Sequence, residues 1–152
     1  MIHQPTDENI TAAADLIRRG EVVAFPTETV YGLGADALNA SAVEKIFEIK
    51  RRPRFDPLIV HLAEPGQIKS VVAMDPRIRQ LLAPLERFWP GPLSVVMPKL
   101  VSVPDIVTAG LKTVAVRIPS VRASVRPNVA LQAPLPSAVT TASDSNVSLT
   151  VS

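Results

Sequence analysis

Two hydrophobic rhythms alternate along the chain. Ile10, Ala13, Ala14 and Ile17 share one face of a 3.6-residue period, with Thr6 placed to cap the segment and Gly20 to stop it, which predicts a helix to about Arg19. Val22 to Phe25 is then continuously apolar, as in a buried strand, and Pro26 ends it. A second helix follows the turn: Asn39 or Ser41 can cap it, Glu44 completes a capping-box spacing from Ser41, and Val43, Ile46, Phe47 and Ile49 form its apolar stripe. Leu58 to Val60 reads as the next buried strand, with His61 at its end. Beyond a weakly amphipathic stretch through Val72, Asp75-Pro76 starts a helix to about Arg87 with the stripe Ile78, Leu81, Leu82 and Leu85, which Pro84 bends or shortens. Leu93 to Met97 is a strand, Pro104 to Gly110 a loop, and Thr113 to Ile118 a strand with polar positions at Thr113 and Arg117. Strands alternating with helices predict an α/β domain.

Composition narrows the function classes. At 152 residues, 47% apolar and 20% charged, the chain fits one globular domain with a substantial core. The absence of cysteine excludes disulfides and thiolate metal sites. No apolar run approaches the roughly 20 residues of a membrane span, and the N-terminus carries acids without a signal-like core, so a soluble cytoplasmic protein is the expectation. A formal net charge of +2 does not by itself point to nucleic acid, but Lys50, Arg51, Arg52 and Arg54 are bunched.

Four places offer chemistry. Between Pro26 and Ala35, Thr27, Thr29 and Tyr31 bring hydroxyls together while Gly32 and Gly34 allow close backbone approach; a ligand-presenting turn and a plain strand corner both fit. The glycine pair is not a dinucleotide fingerprint, since the third glycine is missing. Lys50 to Arg52 end the second helix, where cations complement the helix dipole, but Pro53 forces Arg52 out of the helical region and suits Lys50 and Arg52 to a polyphosphate. Trp89, within Phe88-Trp89-Pro90-Gly91-Pro92, reads as a core plug in preference to a base platform. Arg117, inside an apolar strand, requires an anionic partner, either an internal carboxylate or a ligand's.

The stretches PTETVYGLGADA, KRRPRFDPLIVHL, FWPGPLSVV and TVAVRIPS, in this order across roughly Ile10 to Ser120, closely resemble the YrdC-type threonylcarbamoyl-AMP synthase family. The resemblance implies a twisted mixed sheet flanked by helices, with a basic concave surface holding the site. It implies ATP, L-threonine and bicarbonate as substrates, an N-carboxylated threonine as intermediate, and transfer of AMP to it with release of pyrophosphate, so that adenylyl transfer is the enzyme activity expected. The product would feed tRNA threonylcarbamoyladenosine formation by downstream threonylcarbamoyl transferase proteins. Carried over by position, Thr29, His61 and Arg117 fall where the family contacts threonine, and Lys50 and Arg52 are the basic, catalytic pair at the phosphates. Thr113, Asp56 and Ser137 lie near the nucleotide. Asp56 stands where Asn is common, so its charge calls for an offset from Arg54 or a metal ion. Mg²⁺ is expected with ATP, although no carboxylate cluster forms an all-protein metal cage.

Residues 1–120 are thus read as most of a YrdC-like domain. The remainder, 121–152, departs from the family: Pro136-Ser137-Ala138 is followed by Val139 where Asn is expected, no glycine follows Gly110, and Val121 to Ala133 carries no helical stripe. The expectation is a divergent tail, disordered, frame-shifted or truncated. Two further readings remain at this stage: a non-catalytic module binding nucleotide or RNA (double-stranded RNA or tRNA) through the same basic surface, and a carbamoyl-transfer domain of hydrogenase maturation, which the chain length disfavours.

Overall fold

The first three helices each begin at a side chain that accepts one of their free amides. In the computed structural model, which describes residues 6–26, 31–120, 129–132 and 148–150, Thr6 accepts the Asn9 amide at 3.3 Å and opens α1 (Asp7–Arg18). Gly20, at φ +80°, turns the chain out of it. Asn39 caps α2 (Ala40–Lys50) by accepting the Ala42 amide at 3.2 Å. Ser41 therefore lies inside the helix, and Glu44 pairs with Arg54 instead of closing a capping box. Asp75 accepts the Ile78 amide at 2.7 Å and opens α3 (Pro76–Leu82).

The differences from expectation have local causes. Ile49 is 64% exposed, because it lies in the last turn of α2 at the margin of the stripe formed by Ala42, Val43, Ile46 and Phe47. α3 stops at Leu82 and not near Arg87, since Pro84 has no amide proton and its ring opposes the preceding turn; a single 3₁₀ turn, Glu86–Phe88, follows. The Pro104 to Gly110 loop contains a helical turn, α4 (Asp105–Thr108), closed by Ala109 and Gly110 in left-handed conformations. Trp89 is core: it is 7% exposed and donates its indole N–H to the Leu93 carbonyl at 2.7 Å.

The strands are β1 (Val23–Pro26), β2 (Tyr31–Asp36), β3 (Ile59–His61), β4 (Ser94–Pro98), β5 (Thr113–Arg117), β6 (Val129–Gln132) and β7 (Ser148–Thr150). They form one mixed sheet in the order β1-β2-β6-β3-β5-β4-β7, in which only β3 and β5 are parallel. Gly32 and Gly34 lie within β2, opposite Phe25 and Val23, and not in the turn before it. Two stretches of the 121–152 tail thus enter the sheet as β6 and β7, and β6 sits between β2 and β3.

Alternation sorts the side chains onto two faces. Val60, Val95, Met97, Val114 and Val116 point to one face, all at 1% exposure or less, where they meet Val43, Ile46 and Phe47 of α2, Ile78 of α3 and Val107 of α4. The opposite face holds Ile59, Val96, Pro98, Thr113, Ala115 and Arg117, every one of them half-buried. On that side, among the described residues, α1 covers the outer edge, where Ile17 packs on Val23 and Phe25. Among the described residues the centre of the second face is half-open, closing only towards His61 and Ser94, which are buried.

Candidate functional site

Register, which no single strand reveals, assembles the polar groups of the half-open face. His61 and Arg117 are direct partners across the parallel pair, and Ser94 is the partner of Arg117 across β4. The same row passes through Val129 of β6 to Asp36 of β2. Directly paired residues share a face, so imidazole, guanidinium and hydroxyl stand side by side. His61 and Ser94 are 8% and 6% exposed, and the Leu62 amide donates to the Arg117 carbonyl at 2.9 Å, which holds the register. Asp36, at the end of the row, is engaged by the Leu38 amide at 3.0 Å. A shielded guanidinium flanked by an imidazole and a hydroxyl is a set of donors suited to a small carboxylate bearing further polar groups.

The other end of the parallel pair is basic. Thr113 opens β5 on the same face as Arg117, four residues away and therefore roughly 13 Å along the strand. The loop leading into β3 lies at this end, tied to α4 by the Leu58 amide, which donates to the Val107 carbonyl at 2.8 Å. α2 ends in a left-handed residue, Arg51 at φ 49°, with the Arg52 amide reaching back to the Phe47 carbonyl at 3.0 Å. That turn sends the Arg52 side chain back across its own loop. Arg52 Nη2 meets Asp56 Oδ1 at 2.8 Å and the Pro57 carbonyl at 3.0 Å, while Nε donates to the Asp56 carbonyl at 3.2 Å.

Asp56 is therefore offset by Arg52, not by Arg54, whose guanidinium goes to Glu44. Burial first, and the Arg52 charge second, lower the Lys50 ammonium from its ordinary value. Burial likewise lowers the Arg52 guanidinium, with Asp56 acting in the opposite sense. Two cations strained in this way gain from an anion placed between them and the solvent.

Lys50 and Arg52 thus lie together where α2 runs into the loop before β3, at the end of the parallel pair at which Thr113 opens β5, and His61 and Arg117 are adjacent at the other end. Thr29 and Ser137 fall outside the described residues. Ser94 and Asp36 join the row although the sequence reading does not single them out; their only signal is a polar residue at the end of an apolar strand. Among the described residues, no group of three or more His, Cys, Asp or Glu side chains could hold a metal ion.

Similarity to known proteins can be set beside this geometry. A threonylcarbamoyl-AMP synthase of Pyrococcus abyssi is 53% identical over 111 residues, 73% of this chain and 32% of that protein. One of Bacillus subtilis is 51% identical over 114 residues, 74% of this chain and 32% of the relative. One of Halorhodospira halophila is 41% identical over 70% of this chain and 54% of its own length. The chain thus spans about a third to little more than half of the length of these relatives. The crystal structure of P. abyssi Sua5 complexed with L-threonine superposes with a TM-score of 0.76 at 44% identity, over 86% of this chain and 39% of that one. E. coli YciO, at 21% identity and a TM-score of 0.70, shares the fold. The Sua5/YciO/YrdC family model, described as telomere recombination, matches residues 15–149, and the chain belongs to that family.

Proposed function

We propose that this chain binds L-threonine and ATP side by side on the half-open sheet face and, with bicarbonate, forms threonylcarbamoyl-AMP and pyrophosphate. The observation that carries the reading is the direct pairing of His61 and Arg117 across the parallel strands, and the clustered Lys50 and Arg52 cations beside the loop that leads into the other end of that pair support it. The threonine complex of a family member 44% identical to this chain supports the placement of the amino acid.

In this reading Arg117 takes the threonine carboxylate, with His61 and Thr29 beside it, and Lys50, Arg52, Thr113 and Ser137 serve the nucleotide. Bicarbonate carboxylates the threonine amine with loss of water. A carbamate oxygen then attacks the α-phosphorus, the bond to the β-phosphate oxygen breaks, and pyrophosphate leaves. The protein's part is alignment and offset of phosphate charge, the two contributions a positively lined surface can supply without a covalent intermediate. Mg²⁺ would supply further offset of the phosphate charge, held chiefly by the ATP itself, since the described residues offer no carboxylate cluster for it. The setting is the cytoplasm, and the product passes to proteins that modify adenosine in tRNA.

The test is pyrophosphate release by the full chain. Release that requires ATP, threonine and bicarbonate together supports the reading. Binding of RNA with steep salt dependence and no pyrophosphate under any combination refutes it and leaves a binding module.

A further inference from the structure

We infer that Asp56 is a positioning residue: it holds the Arg52 guanidinium by one edge so that the opposite edge is presented to the nucleotide phosphates. The inference rests on the nucleotide reading proposed above and changes the part played by Asp56 in it, from a contact with ATP to an anchor for the residue that makes the contact.

Donor accounting carries the argument. A guanidinium has five N–H donors in a rigid plane, one on Nε and two on each terminal nitrogen. In Arg52 the Nε donor goes to the Asp56 carbonyl at 3.2 Å, and Nη2 serves both Asp56 Oδ1 at 2.8 Å and the Pro57 carbonyl at 3.0 Å. That edge is fully engaged. Among the described residues Nη1 has no partner, so its two donors remain for a ligand. The arrangement is tight: the Arg52 side chain is 11% exposed, and Asp56, in the same short loop, is 34% exposed. The loop is pinned at both ends, by the Arg52 amide on the Phe47 carbonyl and by the Leu58 amide on the Val107 carbonyl.

The carboxylate has two opposing effects on a phosphate. Its hydrogen bond fixes the planar fork, which saves the ordering cost of a long side chain on binding. Its charge opposes the incoming anion. Asn at this position would keep an oxygen able to accept from Nη2 and remove the charge, whereas Ala would lose both.

Calorimetric titration of the 152-residue chain with Mg-ATP, and separately with L-threonine, tests this in the wild type, Arg52→Ala, Asp56→Ala and Asp56→Asn. The expected result is an ATP Kd raised about tenfold or more in Arg52→Ala and Asp56→Ala, the loss of a charge-assisted contact. Asp56→Asn should stay within about threefold of wild type, since its gain and loss oppose each other. Threonine affinity should be unchanged throughout. Wild-type ATP affinity in Asp56→Ala overturns the inference while leaving the nucleotide reading intact. So does loss of threonine binding in that variant, which would mean that the loop collapses. Equal weakening in Asp56→Asn and Asp56→Ala overturns it as well, because the charge and not the anchor would then matter. Unaltered ATP binding by Arg52→Ala, or none by the wild type, removes the nucleotide reading and the inference together.

Discussion

Replacing Arg117 by Met separates recognition from stability. The substitution keeps an unbranched chain of comparable length but removes the cation that stands between His61 and Ser94. The strand should survive, because Val114 and Val116, at 1% and 0% exposure, anchor its other face and the Leu62 amide bonds to the Arg117 backbone, which is unchanged. Arg117 is half-buried, so a substitution that keeps its volume should cost about 1 kcal/mol, the ordinary scale for a point change. For a chain of this length each kcal/mol moves the melting temperature by about 3 °C, so the expected change is under about 5 °C. Recognition should suffer far more. Charge-assisted hydrogen bonds to a carboxylate contribute about 1.5–3 kcal/mol, which predicts a threonine Kd raised roughly ten- to 150-fold. Arg117→Lys keeps the charge without the planar fork and should fall between the two. Titration with threonine beside a thermal melt decides the matter. Threonine affinity within threefold of wild type in Arg117→Met, or a melting temperature lower by more than about 10 °C, would refute the reasoning, the latter by making the arginine structural.

Other expectations concern the basic end and the sheet. Because the folded chain disfavours the Lys50 ammonium, stability should rise with pH between its lowered folded value and the ordinary 10.5, and binding of a phosphate ligand, which favours the ammonium, should take up protons in that window; calorimetry in buffers of different ionisation enthalpy reads the uptake, and Lys50→Met should abolish it. Arg51→Gly should raise stability by about 1 kcal/mol, because φ 49° is strained for a side chain and natural for glycine. ATP affinity should change little, and a melting temperature that falls would contradict the strain argument. Ending the chain after Ser120 removes β6 from between β2 and β3, so the remaining chain should lose its cooperative melting transition; a truncated chain that melts like wild type would show that β6 is dispensable.

How legible the molecule was depends on the range of each interaction. Thr6, Asn39, Asp75, Gly20 and Pro84 act within a few residues of themselves, and the helices they start or stop could be anticipated from neighbours in sequence. The alternation of Thr113 and Arg117 with buried valines likewise exposed one face of β5 before any partner strand was known. The row from Asp36 to Ser94 was not legible, because register is set by pairing between strands far apart in sequence. The partner of Asp56 was misjudged for a similar reason: Arg54 is nearer in sequence, but the left-handed turn at Arg51 brings Arg52 back over the loop and leaves Arg54 to Glu44. In the tail, Val129 to Gln132 is too short for its pattern to announce a strand, and its place in the sheet is decided by the two edges it joins.

The position of β6 has a consequence for synthesis. Chains emerge from the ribosome N-terminus first, so β1, β2, β3, β4 and finally β5 are all made before Val129 to Gln132 becomes available. Until then β2 and β3 each hold out a row of unpaired amides and carbonyls, the kind of edge that pairs with another chain. The nascent protein therefore passes through an interval in which its two half-sheets are adhesive, and how much of it reaches the native state should depend on how quickly that one short strand arrives relative to an encounter with a neighbour.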